Sequence, residues 1–302
     1  KFLHQRHPQG DGQVLLAGAL TSYRYGMGHA SMNPAEFLES PFHHFEMPDP
    51  EDPFTDPPEE RPSALASRLV LEDWLSALRA SPLVAVASAS APLVLDAGCV
   101  YLARNWDHEQ GIAREILRRL EPEDGALRDL SRVLDTLFNE PSHIVTPGMP
   151  PAPNWQKISA ALATEGRFLI LTGGPGTGKT YTVARILALL QQEGPLRILL
   201  AAPTGKAAAR LSASIANALD SLPEDLAMKA PGKAVTLHQL LGTARQGRRK
   251  RYDQDNRIPA DVLVVDEASM ISLEMMAALL AALSEKTRLI LIGDKDQLAS
   301  VE

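Results

Sequence analysis

The pattern of apolar and polar positions predicts strands alternating with helices in the second half of the chain. Four apolar runs lack the polar alternation of a half-exposed sheet, as expected for parallel strands covered on both faces. They occupy residues 168–171, 197–202, 262–266 and 289–293. Helical patterns flank the first run, at residues 154–163 and 181–190. The sequence therefore predicts an α/β fold in which a parallel sheet is flanked by helices.

The first half of the chain carries mainly helical patterns. Apolar positions occur at helical spacing in residues 63–80, 109–120 and 127–138. Residues 13–20 form either a short helix or a short buried segment. Residues 93–103 predict a β-hairpin, because two apolar runs flank a turn in which Gly98 can adopt a positive φ.

A domain boundary is predicted at residues 140–153, which are rich in Pro and Gly and lack periodicity. We expect a small, mainly helical N-terminal domain over residues 1–148, which is a scaffold or a partner-docking module, and a second domain over residues 149–302 that contains the parallel sheet. Residues 46–62 are dominated by proline and acidic residues, so we interpret them as an exposed loop, with an acidic docking strip as the alternative. His43 and His44 are adjacent and cannot face one metal site, so a solvated pair is expected.

Composition excludes several classes of protein. The chain has 45% hydrophobic and 22% charged residues, as ordinary globular proteins do. A single cysteine, Cys99, excludes an internal disulfide framework and favours a packing role in the hairpin. No apolar run approaches the roughly 18 residues of a membrane span, and the first residues lack a signal-peptide core, so a cytoplasmic location is expected. The net charge of −7 gives no general attraction to nucleic acid, so a DNA site must be local.

A glycine-rich loop after the first strand supplies the candidate chemistry. Residues 173–180 read GGPGTGKT and match the phosphate-binding pattern GxxxxGK[ST]. The glycines let backbone N–H groups approach phosphate oxygens, and the following helix adds its positive dipole end. Lys179 is placed to reach the β- and γ-phosphates of ATP, and the Thr180 hydroxyl to hold Mg²⁺. The predicted nucleotide-binding residues are Gly173, Gly174, Pro175, Gly176, Thr177, Gly178, Lys179 and Thr180.

Polar residues at the ends of later strands predict hydrolysis. Asp266 and Glu267 follow an apolar strand, where Asp266 can position Mg²⁺ through water and Glu267 can orient or deprotonate the attacking water. Gln297 follows the fourth strand, where it can sense the γ-phosphate and couple hydrolysis to movement. Lys179, Asp266, Glu267 and Gln297 are therefore the predicted catalytic residues, and Thr180 and Asp266 the predicted metal ligands.

For four further features, the sequence leaves two interpretations open: a functional role or an ordinary surface position. Gln156 either reads the adenine edge through its amide or is a plain surface glutamine. Thr204, Lys206 and Arg210 either meet a DNA phosphate at a helix start or form a basic turn. His238 is either a DNA contact or a capping residue. A polar loop, solvated or in contact with DNA, carries a basic cluster of Arg245, Arg248, Arg249, Lys250 and Arg251.

Together and in this order, these segments resemble motifs I, Ia, Ib, II and III of superfamily 1 helicases. The segments are GGPGTGKT, AAPTGKAAARL, TLHQLLG, VLVVDEASM and LIGDKDQLASVE. They are most similar to the RecD family, as are NWQKISAAL and PLVLDAGCVYLARNW upstream. The resemblance covers residues 65–302 well and the residues before them weakly.

The resemblance implies an ATP-driven motor that moves 5′ to 3′ on single-stranded DNA in double-strand break repair and recombination. It implies a heterotrimer with RecB-like and RecC-like subunits, in which the N-terminal domain docks on the RecC-like subunit and the nuclease site belongs to the RecB-like subunit. It supports Gln156 as the adenine reader, and Thr204 and His238 as DNA-side residues. Free-standing RecD-like helicases usually carry helix-hairpin-helix material, which is not seen here, so the subunit is favoured over them.

The ends of the sequence indicate part of a longer polypeptide. The chain begins at Lys1 rather than Met and stops after motif III, before the second RecA-like domain and its arginine finger. Because such an arginine contributes about 10³ or more in rate, we expect these residues alone to bind Mg-ATP, hydrolyse it poorly and not unwind DNA. A P-loop ATPase not coupled to DNA is the alternative, although it would not need the basic PTGKAAARL turn or the GDxxQL strand end.

Overall fold

The computed structural model describes residues 11–40, 67–121, 129–138, 153–242 and 251–294. The chain forms two compact units, divided between Gln110 and Gly111. The predicted boundary at 148/149 lies outside the described residues and stays a prediction, as do the roles of residues 46–62 and of His43 and His44. Across the described ranges, every helix is too short or too polar to cross a lipid bilayer.

The first unit combines helices with a four-stranded sheet. Its helices are α1 (Gly12–Gly26), α2 (Pro34–Glu39), α3 (Leu71–Ala80) and the start of α4 (Ala103–Arg119). Its strands are β1 (Ser31–Met32), β2 (Val84–Val86), β3 (Leu93–Asp96) and β4 (Cys99–Leu102), in the order β1-β4-β3-β2. The antiparallel β3–β4 pair confirms the predicted hairpin, with Gly98 at φ +81°. The sequence did not predict β1 and β2, because strands of two or three residues are too short to show alternation.

Trp74 anchors the core of this unit. Its side chain is fully buried and its ring meets that of Phe37 edge to face, with 5.9 Å between the centroids. The indole Nε1 donates to the Gln13 carbonyl at 2.9 Å, so the polar end of the ring is satisfied while the rest packs. This contact joins α3 to α1 across 61 residues of sequence.

The second unit contains the predicted parallel sheet. Its strands are β5 (Phe168–Thr172), β6 (Ile198–Ala202), β7 (Val235–Thr236), β8 (Val262–Val265) and β9 (Arg288–Gly293). The order is β5-β9-β8-β6-β7, and every neighbouring pair is parallel. Its helices are α5 (Leu130–Leu137), α6 (Trp155–Glu165), α7 (Lys179–Leu190), α8 (Gly205–Asp220), α9 (Leu237–Leu241) and α10 (Leu273–Ala282).

Helices cover both faces of this sheet, which explains the uninterrupted apolar runs. All four residues of β8 are buried. Val262 and Val264 belong to the core shared with α5 to α8. Leu263 and Val265 belong to the opposite core, shared with α9 and α10. A polar residue at any of these positions would face apolar side chains, so the strand is apolar throughout.

The parallel arrangement places the carboxyl ends of all five strands along one edge, where ligands bind in open α/β sheets. Thr172 pairs with Gly293, and Leu291 pairs with Val265, so only β9 separates β5 from β8. Two strand spacings amount to about 10 Å. The segment after β5 and the segment after β8 therefore lie close together.

Candidate nucleotide-binding site

The loop between β5 and α7 presents a helix start without a side-chain cap. Gly176 and Gly178 adopt φ +77° and +80°, in the left-handed region that favours glycine. Gly178 is the N-cap of α7 and has no side chain to accept the first N–H groups, whereas Thr204 caps α8. Uncapped N–H donors at the positive end of a helix dipole suit an anion such as a phosphate group.

Two side chains fold over this loop. The ammonium group of Lys179 donates to the carbonyl oxygens of Gly173 and, at 2.9 Å, Gly174. The Thr177 hydroxyl also donates to the Gly174 carbonyl, at 2.9 Å. A Cβ on Gly173 would come within 2.9 Å of the Thr177 Oγ1, so glycine leaves the space that this hydroxyl fills. The loop thus holds one positive charge against its own carbonyl groups.

Gln156 is brought to the same loop by α6. Its amide Nε2 donates to the Thr177 carbonyl at 3.3 Å. A Cβ on Gly178 would lie only 2.6 Å from that nitrogen, so Gly178 is needed for its φ and for the approach of Gln156. The structure therefore places Gln156 against the P-loop, while its contact with adenine stays a prediction.

The acidic pair follows β8 at the same edge of the sheet. The Asp266 N–H donates to the Ala201 carbonyl of β6 at 3.0 Å, which extends the ladder by one residue. The Asp266 Oδ1 accepts from the Glu267 N–H at 2.9 Å, and the carboxyl group is half-buried. Glu267 has φ +53° and ψ +42°, so the chain turns sharply away from the strand direction there. Gln297 lies outside the described residues, and its role stays a prediction.

A 3₁₀ turn, Ala268–Met270, leads from the acidic pair over the end of β9. The position that a Cβ on Gly293 would take lies 3.5 Å from the Ser269 N atom. The Ser269 Oγ is buried and has no hydrogen-bond partner among the described residues. The sequence interpretation assigned no role to Ser269. The sequence did offer a signal for such a role, because a hydroxyl residue stands two positions after the acidic pair in the same motif.

The residues predicted to face DNA are exposed and follow other strands of the sheet. Thr204 follows β6, and its Oγ1 accepts from the Ala207 N–H at 3.2 Å as the cap of α8. Lys206 and Arg210 are exposed and stand one helical turn apart on α8. His238 is exposed on α9, whose N-terminal cap is formed by Thr236 and Gln239 and not by His238. Of the basic cluster 245–251, only Arg251 is described.

The P-loop and the acidic pair after β8 fit a nucleotide with Mg²⁺. In the ranges that the structure describes, no three or more His, Cys, Asp or Glu side chains gather as a metal site. Mg²⁺ in nucleotide enzymes usually takes one or two protein oxygens, several waters and the substrate phosphates. Thr180, in the first turn of α7, and Asp266, after β8, supply oxygens of that kind at one edge of the sheet.

In comparisons with known proteins, two family models match separate parts of the chain. Residues 1–101 match the family described as "RecBCD enzyme subunit RecD, N-terminal domain", and residues 156–302 match the family described as "AAA domain". The RecBCD enzyme subunit RecD of Mycobacterium tuberculosis is 45% identical over 241 residues, which is 76% of this chain and 38% of that protein. Its counterpart in Haemophilus influenzae is 38% identical over 306 residues, 96% of this chain and 45% of that protein.

A relative with a different name, RecD2, matches a smaller part of the chain. The ATP-dependent RecD2 DNA helicase of Deinococcus radiodurans is 40% identical over 137 residues, 45% of this chain and 16% of that protein. The chain spans less than half the length of the RecD relatives above. With a RecD N-terminal domain followed by the P-loop domain, and RecD relatives aligned over most of its residues, the chain belongs to the RecD family.

Proposed function

We propose that this chain carries the ATP-binding motor domain of a RecD-type DNA helicase subunit. One observation carries the proposal: the parallel sheet brings an uncapped P-loop helix and the Asp266–Glu267 pair to one edge, with only β9 between them. The distance of about 10 Å across two strand spacings suits the phosphates and Mg²⁺ of one nucleotide.

Each residue then has a separate part in hydrolysis. The backbone N–H groups of residues 176–180, after Pro175, and the Lys179 ammonium hold the phosphates, and Gln156 reads the adenine edge. Thr180 and Asp266 hold Mg²⁺, which neutralises charge on the β- and γ-phosphates. Glu267 orients the attacking water and accepts its proton. Gln297 senses the γ-phosphate.

Coupling to single-stranded DNA is proposed for the exposed residues after neighbouring strands. Thr204, Lys206 and Arg210 of α8 contact phosphates of the strand, with His238 beside them on α9. Movement from 5′ to 3′ rests on the resemblance to RecD, and no feature of the described residues favours the opposite direction. ATP turnover would then pull DNA past the sheet edge.

Assembly with RecB-like and RecC-like subunits is supported by the N-terminal half of the chain. The RecD subunits of Mycobacterium tuberculosis and Haemophilus influenzae match 76% and 96% of these residues, whereas the RecD2 helicase matches 45%. Residues 1–101 match the N-terminal domain of RecD, and we propose that this part of the chain docks on the RecC-like subunit. Double-strand break repair and recombination is the process that such a complex would serve.

These 302 residues alone are proposed to bind Mg-ATP, turn it over slowly and not unwind DNA. The sequence contains motifs I to III but no arginine finger motif, and such an arginine contributes about 10³ or more in rate. Turnover by residues 1–302 at the rate of the natural full-length polypeptide would contradict this part of the proposal.

The test is ATP hydrolysis by the natural full-length polypeptide, with and without a single-stranded oligonucleotide. We expect strong stimulation by DNA, and its loss in Lys179→Gln, which removes the positive charge and shortens the side chain by one atom. Lys157→Gln is the matched control, because Lys157 is a lysine of α6 that pairs with Asp135 away from the loop. Turnover that ignores DNA would instead support an ATPase not coupled to DNA and would remove the DNA roles of Thr204 and His238.

A further inference from the structure

The hydroxyl of Ser269 is the polar atom beside the site that the proposed mechanism does not use. Its Oγ is buried, and no protein group among the described residues pairs with it. The nearby Ser272 differs, because its Oγ accepts from the Met275 N–H at 3.3 Å and caps α10. Leaving a buried hydroxyl without a partner is unfavourable, so a serine here needs a reason that its packing does not give.

The same turn contains a second unfavourable feature. Glu267 adopts φ +53°, although a residue with a Cβ is strained in the left-handed region. Within three residues, the turn therefore combines a strained backbone conformation with a buried hydroxyl that lacks a partner. Such a combination is typical of a functional segment.

The turn lies close to the proposed nucleotide site. Its backbone packs on Gly293 at the end of β9, and Gly293 pairs with Thr172, the last residue before the P-loop. Ser269 is therefore between the acidic pair and the strand that borders the loop. A group at this place can transmit the position of a terminal phosphate to Glu267 without touching the phosphate itself.

We propose that Ser269 is a positioning residue for ATP hydrolysis. When Mg-ATP binds, the turn Ala268–Met270 shifts so that this hydroxyl, closed to solvent in the structure, meets an ordered water of the bound nucleotide, and the new bond holds Asp266 and Glu267 in place for hydrolysis. The inference rests on the proposed ATP hydrolysis and adds a residue to it. Removing the hydroxyl should slow the reaction while leaving nucleotide binding intact, because the P-loop itself is unchanged.

The test compares Ser269→Ala with Ser272→Ala in the natural full-length polypeptide. For Ser269→Ala we expect kcat to fall about tenfold, as for the loss of one hydrogen bond, with KM within about twofold of wild type. Without nucleotide its Tm should equal or exceed that of wild type, because nothing in the protein loses a partner. Ser272→Ala should do the reverse and lower Tm by about 2–4 °C through loss of a cap, with kcat unchanged.

Ser269→Cys, with a similar size and a weaker donor, should give a kcat between those of wild type and Ser269→Ala. A lower Tm of Ser269→Ala without nucleotide would show that the hydroxyl has a protein partner and would overturn the inference. Unchanged kcat in Ser269→Ala would overturn it as well, with the proposed function intact. A wild-type polypeptide without ATP turnover would overturn both.

Discussion

Gly178 is the P-loop residue whose replacement meets both a backbone and a steric constraint. It requires a positive φ and leaves room for Gln156. We expect Gly178→Ala to weaken Mg-ATP binding at least tenfold, because a left-handed alanine costs about 1–2 kcal/mol before the contact with Gln156 is added. Isothermal titration with a slowly hydrolysed ATP analogue measures the change in Kd.

Gly174→Ala is the matched control for this substitution. A Cβ there meets nothing within 4 Å, and its φ is not positive, so its Kd should stay closer to wild type. Adding Gln156→Ala to Gly178→Ala removes the steric contact but also the proposed adenine contact, so it should not restore the affinity of wild type. Equal loss of affinity in the two glycine variants would show that the loop tolerates no side chain anywhere, and that φ is not the cause.

Cys99 offers a prediction about pH at the residue scale. Burial raises the pKa of its thiol, Glu36, Glu109 and Asp96 add to the rise, and a hydrogen bond with Ser31 opposes it. The folded protein should therefore hold less thiolate at pH 8 than the unfolded chain does, and alkylation by iodoacetamide should be slower. Measured against pH, the rate in the folded protein should rise at a higher pH than the rate in urea.

The same raised pKa sets the sign of its effect on stability. The thiol has an ordinary pKa of 9.0, and below that value it is protonated in both states and favours neither. As the pH rises above 9.0, the unfolded state loses its proton first, so the free energy of unfolding falls. Burial also raises the pKa of Tyr101, which acts in the same direction. A pH profile of alkylation identical in folded and unfolded protein would contradict the assignment.

At the scale of elements, α8 depends on Thr204 for its cap as well as for the proposed DNA contact. Thr204→Ala should lower the free energy of unfolding by about 1 kcal/mol, because the Ala207 N–H loses its acceptor. Thr204→Ser keeps the hydroxyl and should restore the stability. Urea unfolding measures both variants.

The two roles of Thr204 separate when DNA binding is measured on the same pair. If Thr204→Ser restores stability and DNA affinity together, the hydroxyl serves both roles. If stability returns and affinity does not, the methyl group of threonine contacts the DNA. Unchanged affinity in Thr204→Ala would leave the residue as a helix cap only.

At the scale of the whole molecule, a net charge of −7 means that DNA must be held by local cations. Lys206 and Arg210 are exposed on one side of α8. If each contacts one phosphate, replacing both by Gln should reduce the slope of log K against log salt by about 1.4 for single-stranded DNA. Fluorescence anisotropy at several salt concentrations measures this slope, and an unchanged slope would exclude both contacts.

Much of the second unit could be predicted from the sequence. The buried strands appear as apolar runs because both faces are covered, and the glycine-rich loop needs fixed residues at fixed spacing to bind phosphate. Asp266 and Glu267 were predicted for the same reason, since a strand end fixes where their backbone lies. The family followed from the order of these motifs, and the comparisons confirm it.

The first unit was predicted less completely. The hairpin of β3 and β4 was predicted, because its turn leaves a local signal in Gly98. The pairing of β1 with β4, and of β2 with β3 in parallel, depends on contacts between distant parts of the chain. In the second unit, the burial of Arg119 was not predicted, since it depends on Glu115 and on the Ser284 carbonyl, 165 residues away.

The sequence by itself determined the order of strands and helices, the identity of the phosphate-binding loop and the residues able to do its chemistry. Periodicity and motif spacing are local properties, so they can be read along one chain. Only the tertiary structure decided which residues come together: Gln156 contacts the P-loop, the turn of Ser269 packs on Gly293, and the acidic pair lies at the same sheet edge as the loop, with β9 between them. These contacts depend on strand order and register, which are set by packing between residues far apart in sequence.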